Sequence, residues 1–265
     1  MEYFWTAASF VYGCVIGSFI NVCICRVPLG KSIVLPPSCC SSCGSPIPLW
    51  LNIPLVSFLM LKRRCRSCGS LFSFRYFLVE FLCGCLTAFL FMHFGGSTLN
   101  WTFLYYLVFA GLLMVIFFID LDHRIIPAPL TDYGVLFGIL GSFFLSPPGW
   151  RHLSASILGC LVGYAVFLLI RFVGSLMAGQ EAMGGGDVAL AAMMGSFLGW
   201  RNVLLAFFLA FLLGTVTQLP ALLAGKKSAR SEVPFGTFLA IGAVCALFWG
   251  DAMIRFYLSW PEILP

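Results

Sequence analysis

Apolar and polar residues are segregated into long blocks along this chain. Eight apolar runs approach the roughly 20 residues that a helix needs to cross the hydrocarbon core of a bilayer. They cover residues 3–25, 76–93, 101–120, 130–146, 153–173, 187–200, 202–224 and 235–255, of which the fourth and sixth are short. The pattern predicts an all-α polytopic membrane bundle of about eight transmembrane helices, with residues 1–265 forming a single membrane domain.

The composition excludes a water-soluble fold. Hydrophobic residues make up 61% of the chain and charged residues only 9%, and the mean hydropathy is +1.01. A soluble domain carries about 25% charged residues, so it could not bury this much apolar surface. We therefore expect the chain to lie in a lipid bilayer, and nothing in the sequence predicts a nucleic-acid partner or an oligomeric state.

One polar segment, residues 26–75, interrupts the apolar pattern and is interpreted as a small domain inserted between the first two spans. If this insert is cytoplasmic, alternate loops place twelve Lys and Arg residues on its side of the membrane and three on the other. The twelve are Arg26, Lys31, Lys62, Arg63, Arg64, Arg66, Arg75, Arg124, Arg171, Lys226, Lys227 and Arg230; the three are Arg151, Arg201 and Arg255. Cytoplasmic loops carry an excess of basic residues, so we expect the insert in the cytosol and both chain ends outside.

Two cysteine pairs in the insert have the spacing of a metal site. Cys40-Ser-Ser-Cys43 and Cys65-Arg-Ser-Cys68 are separated by 21 residues, and each pair is followed by glycine. Two C-x2-C pairs at this distance are typical of a structural four-thiolate Zn²⁺ site, which would stabilise a segment too small to fold on its own core. Free thiols or a redox pair are the alternative, and the adjacent Cys39 leaves the register of the first pair open.

Two of the ten acidic residues stand where a carboxylate is costly. Asp120 ends the third run at its expected cytoplasmic edge, and Asp187 opens the sixth run after the glycines Gly184, Gly185 and Gly186. Two carboxylates that share a site hold one proton between them, so one can activate a water while the other protonates a carbonyl oxygen. The glycines would allow an irregular helix start and leave room for an extended peptide.

Both aspartates also have a purely structural interpretation as helix ends. Asp187 stands where an N-capping residue would, but Asp120 lies at a helix C-terminus, where its charge opposes the helix dipole. Asp122 competes with Asp120 for the catalytic role, and its alternative is a solvated loop acid near Arg124. In the first run, Gly13 and Gly17 predict close helix packing, and the neighbouring Asn21 is expected to hydrogen-bond another helix.

Four motifs resemble those of a known family. The first is Gly17-Ser-Phe-Ile-Asn21-Val with Arg26-Val-Pro28, and the second is the double cysteine pair with Asn52-Ile-Pro54 and Arg75-Tyr76 to Glu80. The third is Asp120-Leu-Asp-His-Arg-Ile-Ile-Pro127 with Thr131, and the fourth is Gly184-Gly-Gly-Asp187-Val with Gly195 and Gly199-Trp200; Pro234-Phe235-Gly236 also fits. Over nearly its full length the chain resembles the type IV prepilin peptidases, also called leader peptidase / N-methyltransferases.

The resemblance implies that Asp120 and Asp187 are the catalytic pair. It implies cleavage of short basic leaders from prepilins and pseudopilins at the cytoplasmic face of a bacterial inner membrane. It also implies methyl transfer from S-adenosylmethionine to the new N-terminal amine, at a cofactor site that the sequence does not locate. Three positions depart from the family pattern: Ala189 replaces the usual Lys two residues after the second aspartate, Ala128 replaces a frequent Asp or Asn, and Ile20 stands where Leu is common.

Two other classes of protein are compatible with parts of the sequence. A transporter or channel would use Asp120 and Asp187 to bind ions, but it would place acids deep in the bilayer and break helices in matching halves. A zinc-stabilised, non-enzymatic subunit of a secretion machine would not need a second acid beside glycines. The positions of both aspartates at one membrane edge favour the protease.

Overall fold

The computed structural model describes residues 2–40, 42–48, 51–96, 100–145, 149–179, 183–223 and 234–259. The regular elements within these ranges are helices, and the predicted all-α fold is confirmed. The helices are α1 (Glu2–Arg26), α2 (Val56–Met60), α3 (Phe74–Leu90), α4 (Trp101–His123), α5 (Ala128–Ser142), α6 (Gly149–Ala178), α7 (Gly185–Leu223) and α8 (Phe235–Ser259). A 3-10 turn, Val27–Leu29, follows α1, and a π-helical turn, Phe91–Gly95, extends α3. The basic residues Lys226, Lys227 and Arg230 lie outside the described residues.

Six helical segments in the described part of the chain are long and apolar enough to cross a membrane. They are Tyr3–Leu29, Phe74–Gly95, Trp101–His123, Gly149–Met177, Gly185–Leu219 and Phe235–Ser259. The range α7 contains two helices separated by a kink at Gly199 (φ 72°, ψ 170°), a conformation that glycine adopts without a Cβ clash, and these two helices correspond to the predicted spans 187–200 and 202–224. The predicted fourth span corresponds to α5, whose 15 residues rise about 22 Å. The protein is therefore a multi-pass membrane protein.

The chain divides into two compact units, Met1–Val115 and Ile116–Pro265. In the first unit, α1 packs closely against α3, as Gly13 and Gly17 predicted. A Cβ at Gly13 would lie 2.6 Å from Thr87 Cβ, and one at Gly17 would lie 2.7 Å from Glu80 Cα. The expected hydrogen bond of Asn21 is also present, because its Nδ2 donates to the carbonyl of Tyr76 at 3.0 Å.

In the second unit, α7 packs against α5, α6 and α8. The α6–α7 contact is backbone to backbone, because a Cβ at Gly159 or Gly195 would meet the carbonyl oxygen of the other glycine. A buried hydrogen bond from Ser156 Oγ to the Ser196 carbonyl, 2.6 Å long, joins the same two helices. Small residues thus bring the helices together in the manner of membrane bundles.

Candidate active site and metal centre

Asp120 lies in the last turn of α4 and is almost fully buried, with 4% of its surface exposed. Its carboxylate is bound by the N-terminus of α8. The backbone N–H of Thr237 donates to Asp120 Oδ2 at 2.9 Å, and the backbone N–H of Gly236 donates to the same carboxylate. The first N–H groups of a helix have no partner within it and favour an anion, so the chain satisfies both the helix end and the buried acid.

Gly236 permits this close approach. A Cβ at position 236 would lie 3.0 Å from Asp120 Oδ2 and 3.0 Å from Ile126 Cδ1. The hydroxyl of the next residue, Thr237, donates to the carbonyl of Pro234 at 2.6 Å and so tightens the first turn of α8. The sequence motif Pro234-Phe235-Gly236 therefore has a local purpose, which is to present two backbone donors to Asp120.

Asp187 lies in the first turn of α7 and is half-buried. It interacts electrostatically with Asp120, so the fold brings the two predicted carboxylates into one site. The helix begins at Gly185, and a Cβ at Gly186 would lie 2.9 Å from Ile126 Cβ. Gly186 therefore allows the loop after α4 to approach the start of α7.

The other two glycines lie on the open side of the turn. Gly184 and Gly185 are exposed, and a Cβ at Gly184 would be 3.7 Å from Asp187 Oδ2. A Cβ at Gly185 would be 3.5 Å from an Nη of Arg171, so a cationic side chain from α6 lies beside the turn. Neither glycine is crowded at these distances by the part of the chain that the structure describes.

Asp122 and Arg124 follow Asp120 but lie in different surroundings. Asp122 is exposed, whereas Arg124 follows α4 in a left-handed conformation (φ 55°) and its N–H donates to the Asp120 carbonyl at 2.9 Å. The positive charge of Arg124 also acts on the Asp120 carboxylate. Of the two acids in this motif, only Asp120 is buried beside the helix terminus that binds it.

The four predicted metal ligands are brought together in the first unit by two matching turns. The N–H of Gly44 donates to the Cys40 carbonyl and that of Gly69 to the Cys65 carbonyl, each at 2.9 Å. Both glycines have a φ of 71°, in the left-handed region that glycine favours. A second hydrogen bond is also common to both turns: the N–H of Cys40 donates to the Ser45 carbonyl, and the N–H of Cys65 donates to the Ser70 carbonyl.

The geometry of the four sulfurs fits a tetrahedral metal ion. The Sγ atoms of Cys40, Cys43, Cys65 and Cys68 lie within 4.8 Å of one another. Two sulfur pairs are 3.9 and 4.0 Å apart, close to the roughly 3.8 Å expected for two thiolates on one tetrahedral Zn²⁺ with bonds near 2.3 Å. Cys39 is exposed and outside this cluster, so the structure resolves the register of the first pair.

Hydrogen bonds around the cluster favour the thiolate form of two of its four cysteines, Cys40 and Cys68. Hydrogen bonding with Ser70, followed by bonds from backbone groups, lowers the pKa of the Cys40 thiol from 9.0 to about 6. Ser70 likewise lowers the pKa of Cys68, from which its hydroxyl is 3.0 Å away. A cysteine must be deprotonated to bind a metal, so this donor set suits a soft cation such as Zn²⁺.

The sequence did not predict the backbone donors around Asp120. Every non-proline residue has a backbone N–H, so the residue type at position 237 does not indicate that this group binds Asp120. The motif at residues 234–236 was recognised but had no assigned role. A second missed feature is Glu80, whose Oε2 accepts the backbone N–H of Leu55 at 2.8 Å and so attaches the insert to α3.

The fold and the site together define a class of protein. It is a multi-pass membrane protein with a carboxylate pair at helix ends, of which Asp120 is buried and Asp187 half-buried, and a four-cysteine cluster between the first two spanning helices. This is the arrangement expected of a membrane aspartyl protease. Residues 107–219 match the type IV leader peptidase family, and residues 11–94 match the bacterial peptidase A24 N-terminal domain. Together with the relatives described next, these matches show that the chain belongs to the type IV leader peptidase family.

Curated relatives match nearly the whole chain. The prepilin leader peptidase/N-methyltransferase of Aeromonas salmonicida is 33% identical over 288 residues, covering 98% of this chain and 96% of the relative. The protein of the same name from Pseudomonas aeruginosa is 32% identical, covering 95% and 92%. That from Myxococcus xanthus is 42% identical over 84% of this chain and 65% of the relative. No solved structure matches the chain. The family resemblance recognised in the sequence is thus confirmed.

Proposed function

We propose that this protein is an aspartyl endopeptidase that removes short basic leaders from type IV prepilins and pseudopilins at the cytoplasmic face of the bacterial inner membrane. The observation that carries the proposal is the buried Asp120 carboxylate at the N-terminus of α8, in electrostatic contact with Asp187. The names of the relatives supply the substrate class, prepilins.

The two carboxylates divide the chemistry of peptide hydrolysis. Two backbone N–H donors stabilise the ionised form of Asp120, so we assign it the role of base. Asp120 takes a proton from the attacking water, and Asp187 donates its proton to the oxygen of the scissile carbonyl. The tetrahedral intermediate then collapses as the leaving amine is protonated, which separates the leader from the mature chain.

The relatives' names also support a second activity, methyl transfer to the new N-terminal amine of the product. S-adenosylmethionine would supply the methyl group: the nitrogen–carbon bond forms as the carbon–sulfur bond of the sulfonium breaks, and the amine loses a proton. We assign no residue of this chain to that step. In the insert, Cys40, Cys43, Cys65 and Cys68 would hold one Zn²⁺ ion, whose four thiolates leave no position open for catalysis.

The test is a reconstitution with a short-leader prepilin and S-adenosylmethionine in lipid vesicles, read by mass spectrometry. We expect the parent protein to remove the leader and to add one methyl group to the product. Asp120→Asn and Asp187→Asn should each abolish cleavage, because an amide keeps the shape but can neither accept a proton from water nor share one with its partner. A methyl acceptor peptide that already lacks its leader measures the second activity separately.

Asp122→Asn is the matched control. It removes an exposed carboxylate two residues from Asp120 and should retain most of the cleavage activity. Near-normal cleavage by Asp187→Asn would refute the catalytic pair. An inactive Asp122→Asn variant together with an active Asp120→Asn variant would assign the role of base to Asp122 in place of Asp120. The variants are compared at equal amounts of membrane-inserted protein, so that a failure to insert is not mistaken for a loss of catalysis.

A further inference from the structure

The insert exposes apolar side chains that the spanning helices do not account for. In α2, Val56, Leu59 and Met60 are 46%, 65% and 75% exposed. These residues lie outside every segment that is long enough to span the membrane in the described part of the chain. Exposed apolar residues that lie close together along the chain mark a contact surface for an apolar partner. Their position relative to the bilayer decides whether that partner can be lipid.

Contacts with α3 place α2 at the depth of the membrane edge. The backbone N–H of Leu55 donates to Glu80 Oε2 at 2.8 Å, and Glu80 lies six residues, or about 9 Å, inside α3 from Phe74. Within α2, the ring of Phe58 packs on those of Phe77 and Phe74, with centroids 5.2 and 6.0 Å apart. Because the spanning segment begins at Phe74, α2 lies along the first turns of a transmembrane helix and does not project away from the membrane.

A basic turn follows α2 directly. Lys62, Arg63 and Arg64 are all exposed. Lys62 and Arg63 have positive φ angles of 46° and 63°, and Arg63 Nε and Nη2 both lie 3.3 Å from the Phe72 carbonyl, to which they donate. The Arg63 guanidinium also lies over the Phe58 ring at 5.8 Å. Arg63 thereby holds the turn against α2, while Lys62 and Arg64 are carried on the same short segment.

We propose that residues 56–64 form an interfacial anchor that binds anionic lipid headgroups. Leu59 and Met60 enter the outer acyl region, and Lys62 and Arg64 contact lipid phosphates at the headgroup level. An apolar segment followed by basic residues is the composition that binds the membrane–water interface and prefers anionic lipid. The anchor fixes the insert on the bilayer surface through contacts that do not involve the carboxylate pair, so the inference does not depend on the peptidase activity.

The test uses the full chain in vesicles of phosphatidylcholine alone or of equal parts phosphatidylcholine and phosphatidylglycerol. A Met60→Trp variant reports contact with lipid through quenching by lipids brominated on their acyl chains, measured as the increment over the native tryptophans of the parent. We expect clear quenching of the added tryptophan in the anionic vesicles and less in the neutral ones. Zinc content equal to that of the parent shows that the insert is folded.

Charge variants on the Met60→Trp background identify the lipid partner. Lys62→Glu should reduce the interfacial population of the added indole by at least about fivefold in anionic vesicles, the effect of losing one basic residue near such a surface. Lys31→Glu is the matched control, because it makes the same charge change at another exposed lysine of the insert and should leave the quenching unchanged. Quenching of the added indole that is equal in both vesicles, or insensitive to Lys62→Glu, would overturn the proposal. Absence of quenching in both vesicles would also overturn it, and would indicate that a protein partner covers the indole.

Discussion

Gly236 is the residue at which the environment of Asp120 can be changed without altering either carboxylate. In Gly236→Ala, the new methyl group would lie 3.0 Å from Asp120 Oδ2, so the carboxylate must shift away from the helix N-terminus. We expect kcat for leader cleavage to fall about 10- to 100-fold, the cost of misplacing a catalytic group by a fraction of an ångström to one ångström. KM should change little, because the substrate contacts are unaffected.

The control for this variant is Gly214→Ala. A Cβ at Gly214, in α7, would lie 3.7 Å from the nearest atom, in the ring of Phe238, which is ordinary van der Waals contact. This variant should keep parental kinetics and the same insertion into membranes. Equal losses of activity in both variants would mean that a methyl group added elsewhere in the contact between α7 and α8 is as harmful as one beside Asp120, and the specific role of Gly236 would be refuted.

The carboxylate pair should act as a unit. If Asp120 and Asp187 share one proton, the Asp120→Asn, Asp187→Asn double variant should cleave no more slowly than either single variant, because each single change already disables the pair. Cleavage by the parent should show a bell-shaped pH profile, since one carboxyl must be ionised and the other protonated. The charges of the two aspartates and Arg124 act on the site, and the Arg171 guanidinium lies beside Gly185. Additive losses or a profile with a single limb would contradict a shared proton.

At the scale of residues, the sequence predicted the chemical groups better than their surroundings. Asp120 and Asp187 were identifiable because carboxylates are rare and costly at the edges of apolar runs. The four metal-cluster cysteines were indicated by their spacing, although Cys39 left the register of the first pair open until the structure placed it outside the cluster. The donors from Gly236 and Thr237 were not, because backbone N–H groups are common to nearly all residues and Thr237 lies 117 residues from Asp120 in sequence.

At the scale of elements, the zinc cluster should govern the order of the insert. Cys65→Ser removes one of four ligands, so we expect bound zinc to fall from one per chain to near zero and the amides of residues 38–72 to exchange faster with solvent. Leader cleavage should fall less than in Asp120→Asn or Asp187→Asn. Metal analysis and hydrogen exchange measure the two effects.

Cys39→Ser is the control for the zinc prediction. Cys39 is exposed, lies next to a cluster member and is not part of the cluster. Its replacement should leave zinc at one per chain and leave hydrogen exchange unchanged. The metal assignment would be contradicted by parent protein that contains no zinc and in which all four cluster cysteines react as free thiols.

Helix positions were largely predictable, but the contacts between helices were not. Apolar runs report burial in lipid, and each of the eight predicted spans corresponds to helical structure. At Gly199 the backbone is not helical (φ 72°, ψ 170°), and it separates two helices within Gly185–Leu223, as the sixth and seventh runs predicted. The close contact of Gly159 with Gly195 was beyond sequence patterns, because it depends on which two helices become neighbours.

At the scale of the whole molecule, the distribution of basic residues predicts that the insert and the carboxylate pair face the cytosol. Two candidate spanning helices, α3 and α4, separate the insert from Asp120, so we expect the chain to cross the membrane twice between them and to return to the side of the insert. Alkaline phosphatase fused after residue 45 should therefore be inactive, whereas a fusion after Gly96, between those two helices, should be exported and active. A cytosolic reporter such as green fluorescent protein should give the opposite pattern at both sites. Exported phosphatase activity from the residue 45 fusion would reverse the topology and place the aspartates on the wrong side for a peptidase whose substrates are cleaved at the cytoplasmic face.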